Sequence, residues 1–502
     1  MKSQKMRYQN RSQDSYIISL CICLIITIYL LQISADFFHW FLIPVILSGI
    51  IMGNDAINWL RGRLNIFDPV GILSLFGFHF FYLAPILHVK WNSWLEPWFP
   101  YPPDWRTWLG GMAILNFLGL LLYKFFKQVG LKKLGDHSSA KVWHLNHKRL
   151  NQMLPFFLIG SALLQIMVYR QFGGISNYIN AATVSADEAG VSFEGMGILF
   201  MFSESFPILA MFGFAIYAQK HQRMQTWPVL LLVLIGFLVL TMFFGGLRGS
   251  RSNTIWALFW VAGIIHFWIR PLNKKHIAIG LVFLLLFMYL YGFLKGGGIE
   301  GLQQAITVQE NRASLEAEYG RTWEGLLLGD LGRSDIQALL LYQMLRYDTD
   351  YDYAWGRTYF AALTILIPSA ILPNKPPNKS FEGTEAAFGK GSYIPGKWVS
   401  SKVYGLAGEA MLNFSPFTVP LAFIPLGLLV GKIQKLFYSL KPGDTRLLIM
   451  PMLTNLCFVI LVSDLDNNIF FLMKNSAVPC LFIFLVSHQK LSNCHSYKLA
   501  NQ

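Results

Sequence analysis

Long runs of apolar residues, each roughly 17–22 positions long, recur along this chain of 502 residues. A helix rises 1.5 Å per residue and needs about 20 such residues to cross bilayer hydrocarbon. The pattern therefore predicts spanning helices at about 16–33, 37–54, 69–88, 107–126, 153–170, 197–218, 227–246, 252–269, 277–294, 412–434, 447–463 and 469–487. A transmembrane β-barrel would instead alternate in polarity over segments of about ten residues, and no such segments occur. The expected fold is all-α: a polytopic integral membrane protein with about 12 transmembrane helices and one large extracytoplasmic loop containing short helices. Residues 1–294 carry the first nine helices, 295–411 form the loop, and 412–502 carry the last three helices and a tail.

Composition agrees. Apolar residues make up 54% of the chain and charged residues 14%, against about a quarter charged in a soluble domain. The formal charge of +14 would suit nucleic acid, but its placement excludes that partner. Basic residues crowd alternate connections: Arg61 and Arg63, seven between Lys124 and Arg149, Lys220 and Arg223, Arg270 to Lys275, and Lys432 to Arg446. The opposite short connections hold few, namely Lys90, Arg106, Arg170, Arg248 and Arg251. Positive charge marks the cytoplasmic side, so both termini are expected in the cytoplasm, with the basic loops facing anionic membrane lipids. The first apolar run exceeds a signal-peptide core and is expected to be retained. Four of the five cysteines lie in apolar runs, and neither they nor the eleven histidines show ligand spacing. No metal or cofactor is expected.

Within the loop, Leu302–Tyr347 reads as polar and helix-prone, Tyr359–Leu372 as an apolar piece lying in the interface or re-entering, and Pro373–Lys397 as a loop ordered on binding. Candidate chemistry gathers at three places. The turn Gly245-Gly246-Leu247-Arg248-Gly249-Ser250-Arg251 sets two arginines between apolar runs, where a cation needs a polar cavity or a partner. Guanidinium forks match phosphate oxygens, so Arg248 and Arg251 are read as an anion site; headgroup snorkelling is the plainer alternative. The loop adds Arg312, Arg321, Arg333, Arg346 and Arg357 among many carboxylates, a mixture that is more often a solvated helix face. Glu409 and Asp464 stand beside the loop and at the last turn. Each can orient an arginine, polarise a hydroxyl or act as base, or else cap a helix N-terminus. His79, inside the third run, reads as a local hydrogen-bonding group.

Several stretches look familiar together. Trp355-Gly356-Arg357-Thr358-Tyr359, Ile367-Pro368 and Leu372-Pro373-Asn374-Lys375-Pro376 resemble the outer loop of bacterial oligosaccharide repeat unit polymerases, the Wzy-type O-antigen and exopolysaccharide enzymes. Gly408-Glu409-Ala410-Met411-Leu412-Asn413-Phe414 resembles their lead-in to a late span, although Ser415-Pro416 replaces a common glycine. The Arg248–Arg251 turn resembles one shared with O-antigen ligases. Arg321 and Gly332 show an Arg-x10-Gly spacing of some members, which glycine-rich sequence also produces by chance.

The resemblance covers roughly 173–432 and implies a glycosyltransferase of the bacterial cytoplasmic membrane. Its substrate would be undecaprenyl-diphosphate-linked oligosaccharide, polymerised on the outer face, with a chain-length regulator as a possible protein partner. In that reading Arg248, Arg251 and Glu409 are catalytic, and Arg321, Arg333, Arg357, Lys375 and Asp464 bind substrate. The alternatives are an O-antigen ligase, whose loop histidine is missing here, and a flippase of the same pathway. A flippase is expected to have internal repeats and short outer loops.

Overall fold

The computed structural model describes residues 2–32, 34–94, 102–132, 142–183, 196–248, 251–307, 316, 322–367, 371–394 and 402–490. Side chains are described for these except at 2–13, 180, 182–183, 248, 251–252, 295–296, 299–300 and 490.

Each of the twelve apolar runs is helical. Nine helices among the described residues are long and apolar enough to cross a membrane, from Asp14–Leu31 to Leu465–Val486. Three more, Trp227–Phe243, Asn253–Ile269 and Met450–Val462, are shorter. The structure is 79% helical, and its only described strands are Val142–Leu145 and Ser487–Lys490, which pair antiparallel. The protein is therefore an all-α, membrane-embedded bundle.

Two boundaries move. The second long helix starts at Leu42 rather than 37, because Ala35–Phe38 forms a separate 3-10 turn. The helix expected from 412 starts beyond a break at Ser415, whose φ of 143° stops Gly405–Phe414 before Pro416 opens the next turn.

The bundle is closed by glycines. Helices Trp105–Lys132 and Val419–Ser439 touch backbone to backbone: a Cβ on Gly431 would stand 2.3 Å from the Lys127 carbonyl, and one on Gly427 2.7 Å from that of Tyr123. Gly427 and Gly431 are four apart, the small-residue spacing that lets membrane helices approach. Buried Asp55, held by Lys124 and Lys127 at 2.6 and 3.2 Å, pins the same helix to Leu42–Leu60.

The loop is less separate than its polarity suggests. Ser334–Leu345, expected on a solvated face, is buried almost throughout, with Leu339 and Leu340 in the main core beside Met112 and Met411. Its polar Gln337 is satisfied inside by donating to the Tyr404 carbonyl at 2.8 Å. Lys379–Phe388, within the stretch expected to order only on binding, is a helix N-capped by Asn378. Arg357–Thr364 buries Thr358, Ala361 and Ala362 and exposes Phe360 and Leu363, the one-sided pattern of an interfacial helix. Gly298, at φ 63°, divides the long helix Lys274–Thr307 into a bundle part and a loop part.

Candidate functional site

Two polar clusters lie inside this apolar body, joined by one helix. The first is built where the loop meets Gly405–Phe414 and Leu465–Phe471. Helix N-termini leave backbone N–H groups unsatisfied, and here each helix is capped by a carboxylate associated with the other. Asp464, just ahead of the second helix, accepts from the Tyr404 and Gly405 N–H groups at 2.9 and 2.7 Å. Glu409, on the first, accepts the Leu465 N–H at 2.7 Å. The other Glu409 oxygen accepts from the Thr358 hydroxyl at 2.9 Å, and Asn413 donates to that same hydroxyl at 2.7 Å.

Lys379 reaches in from the loop helix and pairs with Asp464 at 2.6 Å and Asp466 at 3.1 Å. Burial works against its charge, but the two aspartates outweigh burial and raise its pKa. Asp464 and Asp466 share this one ammonium. Burial, with Asp464 adding to it, lifts the Glu409 pKa well above the ordinary carboxylate range. At the rim Arg357 grips Glu382 through two nitrogens at 2.9 and 3.3 Å, and Tyr351 also donates to Glu382.

The second cluster lies ten residues further along the same chain segment, about 15 Å at helical rise. Lys474 pairs with Glu204 at 2.7 Å, and both side chains are almost fully buried. Glu204 sits at the kink between Gly197–Ser203 and Phe206–Lys220. Directly over it comes the arginine turn: a Cβ on Gly245 would fall 2.7 Å from Glu204 Oε2. Trp227–Phe243, which leads into the turn, has only 17 residues, about 25 Å of rise against about 30 Å of hydrocarbon. A cavity of about 30 Å³ remains, lined by Glu204, Thr241, Gly245, Asn253, Trp256 and Asn475 among others. Among the described residues the Asn253 Nδ2 donor, buried there, has no hydrogen-bond acceptor.

The residues singled out in the sequence therefore scatter. Glu409 and Asp464 come together, with Arg357 at their edge. The backbones of Arg248 and Arg251 flank the turn over Glu204, while their side chains lie outside the described residues, as does all of Arg321. Arg333 is turned onto the Gly329 and Gly332 carbonyls, closing its own turn. Lys375 is exposed four positions before Lys379. His79 bonds the Leu327 carbonyl at 2.8 Å, a local contact as expected. Lys379, Thr358, Asn413, Glu204 and Lys474 were missed. For the last two a signal existed, since each is a lone charge inside an apolar run.

No family model, curated protein or solved structure matches the chain.

What the clusters can do follows from their geometry. Both Glu409 oxygens are engaged and the side chain is buried, so it holds helices and Thr358 in place rather than meeting an incoming group. The deeper cluster keeps a cation, amide groups and a small cavity beneath a turn bearing two arginines. Charge at that depth is expensive unless it serves a polar ligand or pathway.

Proposed function

We propose that the chain is a metal-independent membrane glycosyltransferase that polymerises undecaprenyl-diphosphate-linked oligosaccharide repeats into O-antigen or exopolysaccharide. In this reading twelve helices span the bacterial cytoplasmic membrane, both termini are cytoplasmic, and the loop and arginine turn face outward. The observation that carries it is the buried Lys474–Glu204 pair under Gly245. It sets a polar pocket of about 30 Å³, room for a water or two, beneath the start of the arginine turn, and in this reading the lipid-borne diphosphate lies against the turn's arginines.

The chemistry suits those charges. An acceptor hydroxyl oxygen attacks the anomeric carbon, the bond from that carbon to the diphosphate oxygen breaks, and the electron pair leaves with the lipid diphosphate. The hydroxyl proton passes to a base. Arg248 and Arg251 stabilise the charge that grows on the leaving group, an effect that fixed donors in a dry site supply most strongly, and the Lys474–Glu204 pair supports their turn from below. Arg357, Lys375 and the rim of the loop receive the sugars, and Arg321 belongs to the same loop. Glu409 and Asp464 act as positioning residues, setting the loop over the pocket through Thr358 and Lys379.

Deleting the gene and running the surface glycan on a gel tests this. The expected result is glycan one repeat long, restored to a ladder by the wild-type gene and not by Arg248→Ala or Arg251→Ala. Loss of all surface glycan would point to ligation or flipping instead.

A further inference from the structure

Trp355 occupies a position its residue type disfavours. Its φ is 47°, Gly356 follows at φ 89° and ψ 2°, and the Arg357 N–H returns to the Ala354 carbonyl at 2.9 Å. These features define a type I′ turn, whose first central position favours asparagine, aspartate or glycine. A bulky side chain there is a conformational outlier that the surroundings must enforce.

They do so with three hydrogen bonds. Ala354 N–H donates to the Leu412 carbonyl at 2.9 Å, Trp355 N–H to the Asn413 carbonyl at 2.8 Å, and Gly356 N–H to Asn413 Oδ1 at 3.0 Å. Asn413 is fully buried and tied to Thr358 and the Glu409 carbonyl. All this restraint presents an indole that is 73% exposed. Tyr353 and Phe414 meet it edge-on, each at 6.4 Å, which fixes the ring's attitude. The strain is not spent on packing.

The polar setting indicates the occupant. Asp352 and Lys390 pair at 2.7 Å with both side chains largely exposed, Asp350 accepts from the Lys390 N–H, and Arg357 is 44% exposed. Asp352 and Arg357 flank Trp355 in the chain, and Lys390 pairs with Asp352; an exposed aromatic face with hydrogen-bonding groups in its neighbourhood complements a pyranose, which has an apolar C–H face and a hydroxyl rim. An interfacial tryptophan anchoring the protein to lipid would use the same indole, but has no use for the exposed carboxylates of Asp350 and Asp352 close to it in the chain. We infer that Trp355 is a stacking platform for one sugar ring of the glycan, with Asp352, Lys390 and Arg357 contacting its hydroxyls. This rests on the proposed glycan-polymerising function and locates its sugar site.

Saturation-transfer NMR on the purified full-length protein tests it, using oligosaccharides cut from the source cell's own surface polysaccharide. Trp355→Asn should melt at or above the wild-type temperature, since asparagine suits the turn, yet weaken oligosaccharide binding by about tenfold or more. Trp355→Phe should retain most of the binding. Equal binding by Trp355→Asn would overturn the inference. So would a 5-fluorotryptophan signal, assigned through Trp355→Phe, that a spin-labelled lipid broadens and oligosaccharide leaves unmoved. The assay needs no lipid diphosphate and no turnover. If polymerisation is never found but binding still depends on Trp355, only the polymerase reading falls.

Discussion

Glu409 and Asp464 cap each other's helices: Asp464 takes the first N–H groups of the helix bearing Glu409, and Glu409 takes the Leu465 N–H that Asp464 precedes. Their exchange fastens the loop side of Gly405–Phe414 to the last long helix. Lys379 then fastens the loop to the last long helix through Asp464 and Asp466.

Removing that ammonium should be costly. Lys379→Met leaves Asp464, wholly buried, without its cation, and breaking a buried pair from one side costs about 3–5 kcal/mol. The double variant Lys379→Met with Asp464→Asn should recover part of this loss, because no lone charge remains. Thermal unfolding of both variants beside wild type checks it; a single variant as stable as wild type contradicts the pairing.

The raised pKa of Glu409 gives a pH signature. Burial raises its pKa in the folded state, so the native protein holds the Glu409 proton more tightly than the unfolded chain. Stability from this group must then fall as pH rises from the ordinary glutamate value, about 4.3, towards the raised native value. Glu409→Gln mimics the protonated form and should flatten that slope. Melting curves for both proteins across this range decide it, and parallel slopes would remove Glu409 as the titrating group.

Gly431 tests the bundle. Its missing side chain admits the Lys127 carbonyl, so Gly431→Leu must push two helices apart. Overpacking of this kind costs about 1–3 kcal/mol, and more where backbone cannot yield. Gly280, with nothing near its Cβ position, is the control: Gly280→Leu should leave the melting temperature nearly unchanged.

Gly245→Ala should disturb the turn and the buried pair together. The new methyl meets the Glu204 carboxyl at a φ of 156°, where any side chain is strained, so it displaces the carboxylate next to Lys474 and shifts the turn. Polymer length should collapse and the melting temperature should fall, more than for Gly280→Leu. An unaltered ladder would place the pocket outside the reaction.

The sequence made the apolar runs legible because apolar length is a local property: every run became helix, with differences at ends such as Ala35–Phe38, at Ser415 and at the break around Glu204 inside 197–218. It read the loop poorly. Ser334–Leu345 carries Asp335, Gln337 and Gln343 and looks solvated, yet those polar groups are buried with the core around them. Glu409 and Asp464 were visible as isolated acids, but their reciprocal caps join positions 56 and 60 apart. Lys379 was hidden in a stretch whose glycines and prolines suggested no fixed structure. Glu204 and Lys474 each stood alone in apolar sequence, and only the fold shows that one neutralises the other.

The most direct test reconstitutes the purified protein in liposomes with the lipid-diphosphate-linked repeat and resolves the products by length. The expected outcome is a ladder of polymer with release of free lipid diphosphate, slowed about 10²–10³-fold in Arg248→Ala or Arg251→Ala. Wild-type protein that leaves the repeat unextended, or arginine variants that extend it at the wild-type rate, would contradict the account.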